Sequence, residues 1–388
     1  MKRRYFDWAA TAPPDFAFSG HPFGNPSSLH EEGREAKKFL EAARSRCAAV
    51  LGVRNEELSF TSGGTEANAI ACFSLLAKPR RKDGADKGAA LLYSAAEHPS
   101  VRENCAVLGR LGIASAAAGV DSGGAVSEAS LSAALKKNPA PRMAFFMAVN
   151  NETGAAADLA SLTALLRSRV QSPVHVHCDM VQAAGKIPFD IAAAGIDSAA
   201  ISAHKLGGPR GTGLLYARKK FDTLIRGGGQ EGGVRPGTEN VFGAAAMAAA
   251  LEKHAAPGAL ESARRGAELR MEALVAGLRK RLDKRFFTIP AYRAPADRRF
   301  SPWILQCRLE GIPGEVMVRC LDEAGFAVST GSACSAAEKK RPVLEAMGVD
   351  ARSRLEGIRI SQGWSTTSED VEALVRAIAG ICEKLPRV

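Results

Sequence analysis

The sequence predicts an α/β protein with a mostly parallel sheet that is covered by helices on both faces. Short apolar segments predicted as strands alternate along the 388 residues with longer segments whose apolar side chains recur at helical spacing. Strands joined through helices lie parallel, and they are apolar on both sides because both faces are covered. The chain is also too long for one ordinary core, which predicts one large domain and one smaller domain.

Strands and helices alternate through the first part of the chain. The helix predicted at residues 32–50 has one apolar face, made by Ala36, Phe39, Leu40, Ala43 and Cys47. Residues 58–61 predict a short strand that enters a Gly-rich turn, and a helix follows as far as Ala77. The polar and charged residues 78–88 predict an exposed loop. Further strands are predicted at residues 89–93, 143–149, 174–178 and 198–202.

A change in composition near residues 254–258 marks the predicted domain boundary. Residues 15–255 are predicted to form the large domain, and residues 1–14 together with 256–388 the smaller one. Two long helices are predicted beyond the boundary, and we expect their apolar stripes to be packing surfaces. The stripes are formed by Met271, Leu274, Leu278 and Leu282, and by Val371, Leu374, Val375, Ile378, Ile381 and Leu385.

Charge and composition argue against several classes of function. The formal net charge is +11, but the basic residues are dispersed and only 6% of the residues are aromatic, which argues against nucleic-acid binding. An acidic protein partner or anionic ligands account for the charge equally well. No apolar run is long enough to span a membrane, and no signal-peptide stretch follows the basic first residues. We therefore expect a cytoplasmic protein.

Two distant segments carry the chemistry. The eight cysteines are scattered without CxxC pairs and predict neither a disulfide framework nor a zinc site. Cys334 differs from the others, because it lies in a run of small residues, 329–334, where a thiol can be exposed and mobile. Residues 202–205, Ser-Ala-His-Lys, have the surroundings of a lysine that holds an aldehyde cofactor as a Schiff base. Together the segments indicate an enzyme that activates an amino acid on pyridoxal phosphate and then moves sulfur.

Asp179 follows the strand predicted at residues 174–178 and suits the ring nitrogen of such a cofactor. The pyridine ring withdraws electrons best when its nitrogen is protonated, which calls for a buried carboxylate beside it. Strand alternation places His175 and His177 on the same face as Asp179. A metal site is the alternative for this string. Against it, Cys178 points to the other face and no further ligand cluster is near in sequence.

The phosphate of such a cofactor needs backbone N–H groups and a helix N-terminus. Residues 63–66, Gly-Gly-Thr-Glu, lie at a strand-to-helix turn and supply both, with the Thr65 hydroxyl as a further donor. The Gly-rich residues 207–213 suggest a dinucleotide loop, but residues 214–216 predict a strand where such a loop must open a helix. Residues 227–230 predict a flexible turn.

A set of short strings runs through nearly the whole chain. They are Gly24-Asn25-Pro26-Ser27-Ser28-x-His30, Thr61-Ser62-Gly63-Gly64-Thr65-Glu66, Glu97-His98, Val149-Asn150-Asn151-Glu152-Thr153-Gly154, His177-x-Asp179-x-x-Gln182, Ser202-x-His204-Lys205, Arg235-Pro236-Gly237-Thr238-Glu239-Asn240 and Gly331-Ser332-Ala333-Cys334. Their number and order resemble the cysteine desulfurases of the class V aminotransferase group, in the branch that serves nitrogenase and general iron–sulfur cluster assembly. The resemblance implies a fold-type I, aspartate-aminotransferase-like structure with a mostly parallel seven-stranded sheet, and pyridoxal 5'-phosphate as cofactor.

The resemblance also implies roles around the cofactor. Lys205 is expected to hold the cofactor as a Schiff base and to shuttle the α-proton. His98 is expected to stack on the ring and to act in acid–base steps, and Asp179 to pair with the ring nitrogen. The ring oxygen is expected to be contacted by Asn151 and Gln182, and the phosphate to be held by Gly64, Thr65, Ser202 and His204.

Further roles concern the substrate and a second subunit. Thr238 resembles the residue that reaches the phosphate of the neighbouring subunit, which implies a homodimer with the active site at its interface and between the domains. Arg359 matches the arginine that grips the substrate carboxylate, a role that suits a bidentate guanidinium. Asn25 lies in a segment that the family places near the substrate.

Cys334 is expected to attack the sulfur of L-cysteine, which leaves a persulfide on the enzyme and releases L-alanine. Only the thiolate is a good nucleophile, so we expect a basic group such as His98 to meet it. The loop at residues 335–341 is expected to be mobile and to bring the persulfide to an iron–sulfur scaffold or another sulfur-acceptor protein. No resident metal is expected, although Cys334 is a candidate for transient ligation of a cluster.

Three alternative functions remain open, and the chain departs from the family pattern at three positions. Selenocysteine lyase would use the same residues, and another class V aminotransferase would need no Cys334. A catalytically silent sulfur-assembly partner or a nucleic-acid binder would not need the set of Lys205, Asp179 and Cys334. Where the family has alanine, valine and a second arginine, this chain has Met180, Cys178 and Trp364. A bulkier side chain beside the ring puts the placement of the cofactor in question.

Overall fold

The computed structural model describes residues 3–16, 20, 22–77, 90–294, 296–331 and 341–385. Its strands are β1 Arg4–Tyr5, β2 Leu58–Thr61, β3 Leu91–Ser94, β4 Ser115–Ala118, β5 Met143–Met147, β6 His175–Asp179, β7 Ser198–Ser202, β8 Gly213–Ala217, β9 Phe286–Thr288, β10 Ile304–Leu309, β11 Phe326–Ala327 and β12 Gly357–Ser361. Its α-helices are α1 Glu31–Leu51, α2 Gly64–Ala77, α3 Pro99–Arg110, α4 Glu128–Lys137, α5 Leu159–Arg169, α6 Val241–Ala255, α7 Pro257–Leu282, α8 Gly314–Glu323, α9 Pro342–Ala346, α10 Ala351–Glu356 and α11 Ser368–Lys384.

The large sheet has seven strands in the order β2-β8-β7-β6-β5-β3-β4. Neighbouring strands are parallel except where β8 is involved, because β8 runs antiparallel to both β7 and β2. The prediction of a mostly parallel, seven-stranded sheet is therefore confirmed. Since β8 follows directly on the Gly-rich residues 207–212, this stretch opens a strand, as predicted, and not the helix that a dinucleotide loop requires.

Three strands of this sheet end at the same edge. β2 ends at Thr61, β6 at Asp179 and β7 at Ser202. These strands share one direction, because β2 and β7 are both antiparallel to β8, and β6 is parallel to β7. Ligands of α/β sheets bind outside the carboxyl ends of the strands. The fold therefore brings the residues after β2, β6 and β7 to one binding edge.

Helix α1 shows how the sequence pattern becomes a packed element. It begins after His30, whose side chain accepts a hydrogen bond from the Gly33 N–H group, and it ends before Gly52, which is left-handed. The helix packs against α6. Its buried face includes Ala36, Leu40, Ala43 and Cys47, as the apolar spacing predicted.

A second core surrounds the antiparallel sheet β12-β10-β9. Its helices are α7, α8 and α11, and the predicted stripes of α7 and α11 are buried there, with Ile381 and Leu385 at its margin. Strand β1 pairs with β11, and Phe6 packs in this core, so the segment at residues 3–16 is tied to the last third of the chain. The domain limits at residues 14/15 and 255/256 stay a prediction.

Two predicted segments lie outside the described residues. One is the whole charged loop at residues 78–88, and the other is the run 332–340, which includes Cys334. In the part of the chain that the structure describes, no helix is both long and apolar enough to cross a membrane.

Candidate active site

A cavity of about 580 Å³ opens at the edge of the large sheet where β2, β6 and β7 end. It brings together most of the residues that the sequence singled out. Its lining includes Gly64, Thr65, His98, Asn151, Asp179, Gln182, Ser202, His204, Lys205 and Arg359. Asn25 and Thr238 are exposed and do not occur among the described residues that line it. Gly331, the last described residue before Cys334, lies in the lining.

Asp179 is a buried carboxylate at the carboxyl end of β6. Its Oδ1 accepts a hydrogen bond from the Val181 N–H group at 3.0 Å, and its Oδ2 accepts one from Asn68 Nδ2 at 2.8 Å. His177 lies on the same face of the strand and is also linked to Asn68, whereas Cys178 packs in the core on the other side. The predicted alternation of β6 is confirmed, and the carboxylate is held in place by two donors.

The anion-binding end of the cavity is built by the turn from β2 into α2. Helix α2 begins at Gly64, so the free N–H groups of its first turn face the cavity. A Cβ atom on Gly64 would lie 2.6 Å from Cγ2 of Val181, closer than two carbons can approach. A glycine is therefore required here, and it lets the helix N-terminus come close to the β6 loop.

Ser202 and His204 extend this end of the cavity. Burial and the neighbouring Lys205 ammonium lower the pKa of His204 to about 4. The imidazole is therefore neutral at pH 7, and its Nδ1 lies 3.1 Å from the Thr11 hydroxyl oxygen. A neutral ring with one N–H group can donate one hydrogen bond to a phosphate oxygen without adding charge.

Lys205 follows β7 in a short 3₁₀ turn and lines the same cavity as Asp179. Its Nζ donates hydrogen bonds to the carbonyl oxygens of Ala9 and Ala10, both at 2.6 Å. The segment at residues 3–16 therefore forms part of the wall. Nothing in the local sequence around Ala9 or Ala10 indicates this role, because it depends on a contact across almost 200 residues.

His98 caps the N-terminus of α3 with its side chain. Its Nδ1 accepts from the Ser100 N–H group at 3.1 Å and lies 2.9 Å from the Ser100 hydroxyl oxygen. Burial lowers the pKa of His98 below its ordinary value; the Asp179 charge, the next largest effect, opposes this, and the charges of Lys205 and Arg102 lower the pKa further. The ring is therefore neutral at pH 7 and carries its hydrogen on Nε2.

Arg359 lies on β12 and extends into the cavity from the second core. Its Nη2 donates to Asp7 Oδ1 at 2.7 Å, and its Nη1 donates to the carbonyl oxygens of Asn151 and Gly331 at 2.8 and 2.9 Å. The buried Nε has no hydrogen-bond partner among the described residues. An arginine with an unused N–H group beside a cavity suits a carboxylate ligand.

Lys186 is a buried residue without a role predicted from the sequence. Lys186 Nζ donates to Gln182 Oε1 at 2.8 Å, and Gln182 Nε2 donates to the Ala9 carbonyl at 2.8 Å. Burial, with the charges of Lys205 and Arg359, lowers the pKa of Lys186 to about 7. The spacing of four residues between Gln182 and Lys186 was the available signal.

Glu97 is the second buried residue without a predicted role. Its Oε1 accepts from the Met147 N–H group at 2.6 Å, and its Oε2 has no partner in the described part of the chain. Burial and the nearby Asp179 charge raise the pKa of Glu97 well above its usual range. The Glu97 carboxyl group therefore holds the backbone of β5 at Met147.

The residues present fit pyridoxal phosphate. Lys205 supplies the amine for the aldehyde, Asp179 a buried carboxylate for the ring nitrogen, and His98 a neutral ring for stacking. The helix N-terminus at Gly64 and Thr65, where only glycine leaves room, suits the phosphate. Each group lines the same cavity, so one ligand can contact them all.

The comparison with known proteins agrees with this chemistry. The sequence model of the family described as aminotransferase class-V matches residues 5–374. The chain belongs to the class-V aminotransferase family. Enzymes of this family depend on pyridoxal phosphate, and the chain has their fold-type I architecture.

Relatives of this member of the class-V family match along nearly its whole length. It is 35% identical over 401 residues to cysteine desulfurase IscS of Dictyoglomus turgidum, with 99% of this chain and 96% of the relative covered. Cysteine desulfurase of Enterobacter agglomerans is 34% identical, with 99% and 94% covered. The solved structure of a NifS-like protein superposes with a TM-score of 0.87 at 32% identity, and covers 99% of this chain and 100% of that protein.

The departures beside Asp179 lie in the core of the large sheet. Met180 and Cys178 are buried, pack in the core of the large sheet, and do not occur among the described lining residues. Trp364 is half-buried, not part of an outer surface. It stacks on His254 with ring centroids 3.8 Å apart and contacts Trp8 and Trp303.

Proposed function

We propose that this chain is a cysteine desulfurase. It takes sulfur from L-cysteine, releases L-alanine and holds the sulfur as a persulfide on Cys334, for transfer to a scaffold or another acceptor protein in iron–sulfur cluster assembly. The observation that carries the proposal is the single cavity shared by Lys205, Asp179 and Arg359, with Gly331 in its wall. Relatives named cysteine desulfurase share 34% and 35% of their residues with this chain.

The residues around the cavity divide the work of binding and proton transfer. Pyridoxal phosphate, when bound, supplies an electron sink for the carbon skeleton of the amino acid. Arg359 binds the α-carboxylate through its unused Nε–H group and a neighbouring Nη. Lys205 removes the Cα proton and returns it. Asp179 would hold the ring nitrogen of the bound cofactor, and the N-terminus of α2 would hold its phosphate.

His98 acts first as a proton donor. Its Nδ1 is occupied by the Ser100 N–H group, so the neutral ring presents an N–H group at Nε2. Only after Nε2 has given up its proton can it accept one from the thiol of Cys334. This order refines the expectation that His98 is simply the base for Cys334.

The sulfur step is a nucleophilic attack by the Cys334 thiolate on the sulfur of the bound L-cysteine. An S–S bond forms, the Cβ–S bond breaks, and its electron pair ends in a C–H bond of L-alanine after protonation. An unperturbed thiol is only about 3% ionised at neutral pH, so a base must assist. The persulfide then passes its outer sulfur to a thiolate of the acceptor protein.

A homodimer is the second part of the proposal. Thr238 and Asn25 are exposed, and the surface near Asn25 carries the side chains of Phe23 and Leu29, which are 85% and 90% exposed. Large apolar side chains so exposed favour a protein–protein contact. A second copy placed there would cover this surface and bring Thr238 toward the phosphate of its neighbour. The cytoplasmic location and the domain limits also stay predictions.

The test measures alanine and sulfide released from L-cysteine with dithiothreitol. We expect activity in the wild type and none in Cys334→Ser. Cys320→Ser is the matched control, because Cys320 is partly exposed and lies on α8, away from the cavity lining. Wild-type activity that persists in Cys334→Ser would overturn the assignment of the sulfur carrier.

Other substrates and the uptake of cofactor distinguish the alternative functions. Alanine release from selenocysteine but not from cysteine would indicate a selenocysteine lyase. Activity that depends on an added keto acid and survives Cys334→Ser would indicate an aminotransferase. A protein that takes up no pyridoxal phosphate at all would indicate a catalytically silent assembly partner.

A further inference from the structure

A buried chain of side chains leads away from Asp179 to the far side of β6. Asn68 Nδ2 lies 2.8 Å from Asp179 Oδ2, and Asn68 Oδ1 lies 2.9 Å from His177 Nε2. The Ser198 hydroxyl oxygen then lies 2.7 Å from His177 Nδ1 and 2.7 Å from His175 Nε2. Asn68, His177 and Ser198 are almost entirely buried, and His175 is partly exposed.

The strand register and the helix position build this chain. In the parallel pairing of β6 with β7, Ser198 lies beside His177. Residues two apart on β6 share a face, so both histidines reach the same hydroxyl. Asn68 comes one helical turn after Gly64 on α2, which places its amide between His177 and Asp179.

The chemistry of the partners fixes the direction of every hydrogen bond. The carboxylate of Asp179 only accepts, so the amide of Asn68 turns its NH₂ group toward Asp179 and its oxygen toward His177. Burial lowers the pKa of His177 well below its usual value, so the ring is neutral and donates through Nε2. Nδ1 then accepts from the Ser198 hydroxyl.

The last link follows in the same way. Because the hydroxyl hydrogen of Ser198 is directed to His177, its oxygen accepts from His175 Nε2. All donors therefore point toward Asp179. The second hydrogen of the Asn68 amide goes to the Ser100 hydroxyl at 2.8 Å, and that hydroxyl contacts His98. Asn68 thus connects His98, which is expected to stack on the cofactor ring, with Asp179, which is expected at the ring nitrogen.

We propose that Asn68, His177 and Ser198 are positioning residues that hold the orientation and the negative charge of Asp179 toward the ring nitrogen of the cofactor. Donors aimed at a carboxylate stabilise its charged form, and hydrogen bonds in one direction strengthen one another. The inference rests on the proposed placement of the ring nitrogen at Asp179. None of the three residues needs to touch the reacting atoms of the substrate.

The experiment titrates apoenzyme with pyridoxal phosphate and records both the dissociation constant and the absorption spectrum of the bound cofactor at one pH. Ser198→Ala removes the hydroxyl that orients His177, and we expect about three- to tenfold weaker binding and an altered spectrum. His177→Phe keeps a ring but breaks the link to Asn68, and is expected to have the same effect. His177→Gln restores a donor near the Nε2 position and is expected to recover the wild-type spectrum.

Ser74→Ala is the matched control. Ser74 is also fully buried and lies on α2, but its hydroxyl donates to the Ala71 carbonyl and has no link to Asp179. This variant is expected to keep the wild-type affinity and spectrum. A merely structural role of Ser198 would lower the melting temperature as in Ser74→Ala and leave the spectrum unchanged.

The spectrum and cofactor affinity of Asp179→Ala show whether a negative result contradicts only the positioning role or also the proposed place of the ring nitrogen at Asp179. If Asp179→Ala changes the spectrum while folded Ser198→Ala and His177→Phe keep the wild-type spectrum and affinity, the positioning role is wrong. If Asp179→Ala also leaves both unchanged, the ring nitrogen lies elsewhere and the proposed site is wrong. Should His177→Phe fail to fold, the outcome for Ser198→Ala decides.

Discussion

Arg359 and Asp7 form an ion pair at the wall of the cavity, with Nη2 and Oδ1 2.7 Å apart, although the two residues are 352 positions apart in sequence. The Arg359 side chain is 2% exposed and that of Asp7 20%. The pair ties the segment at residues 3–16 to β12, and the same segment supplies the carbonyl groups that contact Lys205. One contact therefore holds both Arg359, which is proposed to bind the substrate carboxylate, and the wall around the Lys205 amine.

Asp7→Asn is predicted to destabilise the apoenzyme by about 3 kcal/mol, because it leaves the buried Arg359 guanidinium without its counter-charge. Chemical denaturation measures the change in the free energy of unfolding. Asp322→Asn is the control, since its ion pair with Arg3 is more than half exposed and is worth less than about 1 kcal/mol. Equal effects of the two substitutions would contradict the role of Asp7.

Lys186 is predicted to make the stability of the apoenzyme depend on pH. Its pKa is lowered to about 7 by burial, whereas the unfolded chain has an ordinary lysine near pH 10.4. Between these values the unfolded state binds more protons, so the free energy of unfolding rises with pH. Below pH 7 Lys186 is protonated in both the folded and the unfolded state, and burial of its charge lowers the free energy of unfolding by its full amount.

Lys186→Met tests this dependence by denaturation at several pH values from 6 to 10. The variant is expected to lack a slope of up to about 1.4 kcal/mol per pH unit above pH 7. The free energy of unfolding of the variant, relative to that of the wild type, is therefore highest at the lowest pH. Lys136→Met, at an exposed position on α4, is expected to keep the wild-type slope. The idea fails if both variants titrate alike.

The sequence predicted the parts of the site that depend on local pattern. Asp179 and Ser202 could be placed because each ends a strand, and Gly64 because it starts a helix after a strand. Lys186, Asn68 and the carbonyl groups of Ala9 and Ala10 could not, since their roles arise from contacts between distant segments. The apolar pattern predicted six of the seven strands of the large sheet within a few residues and missed β4, and it holds no information on which buried polar groups find partners.

The three tryptophans of the chain are predicted to stabilise the protein as one cluster. Trp364 lies 5.7 Å from both Trp8 and Trp303, between centroids, and stacks on His254. Trp364→Ala is expected to lower the free energy of unfolding by about 3 kcal/mol, because it opens a cavity among large rings. Denaturation followed by circular dichroism measures the loss.

Leu269→Ala is the control for the tryptophan cluster. Leu269 is 61% exposed on α7, so its truncation is expected to change stability by less than about 0.5 kcal/mol. A loss in Trp364→Ala no greater than in Leu269→Ala would show that the cluster contributes little. The cluster also makes tryptophan fluorescence a probe of the segment that carries Trp8.

His98 is predicted to set the acid limb of activity. Its pKa lies below the ordinary value of 6.5 because the ring is buried near Lys205, and protonation at Nδ1 would break its bond to the Ser100 N–H group. We therefore expect kcat/KM for L-cysteine to fall only below pH 6.5, where the ring becomes charged and loses its cap. A pH–rate profile from 5 to 9 measures this limb.

His98→Gln is expected to lose most of the activity and the acid limb with it. His30→Asn, at the exposed start of α1, is the control and is expected to keep both. An acid limb centred above pH 6.5 that persists in His98→Gln would assign it to another group.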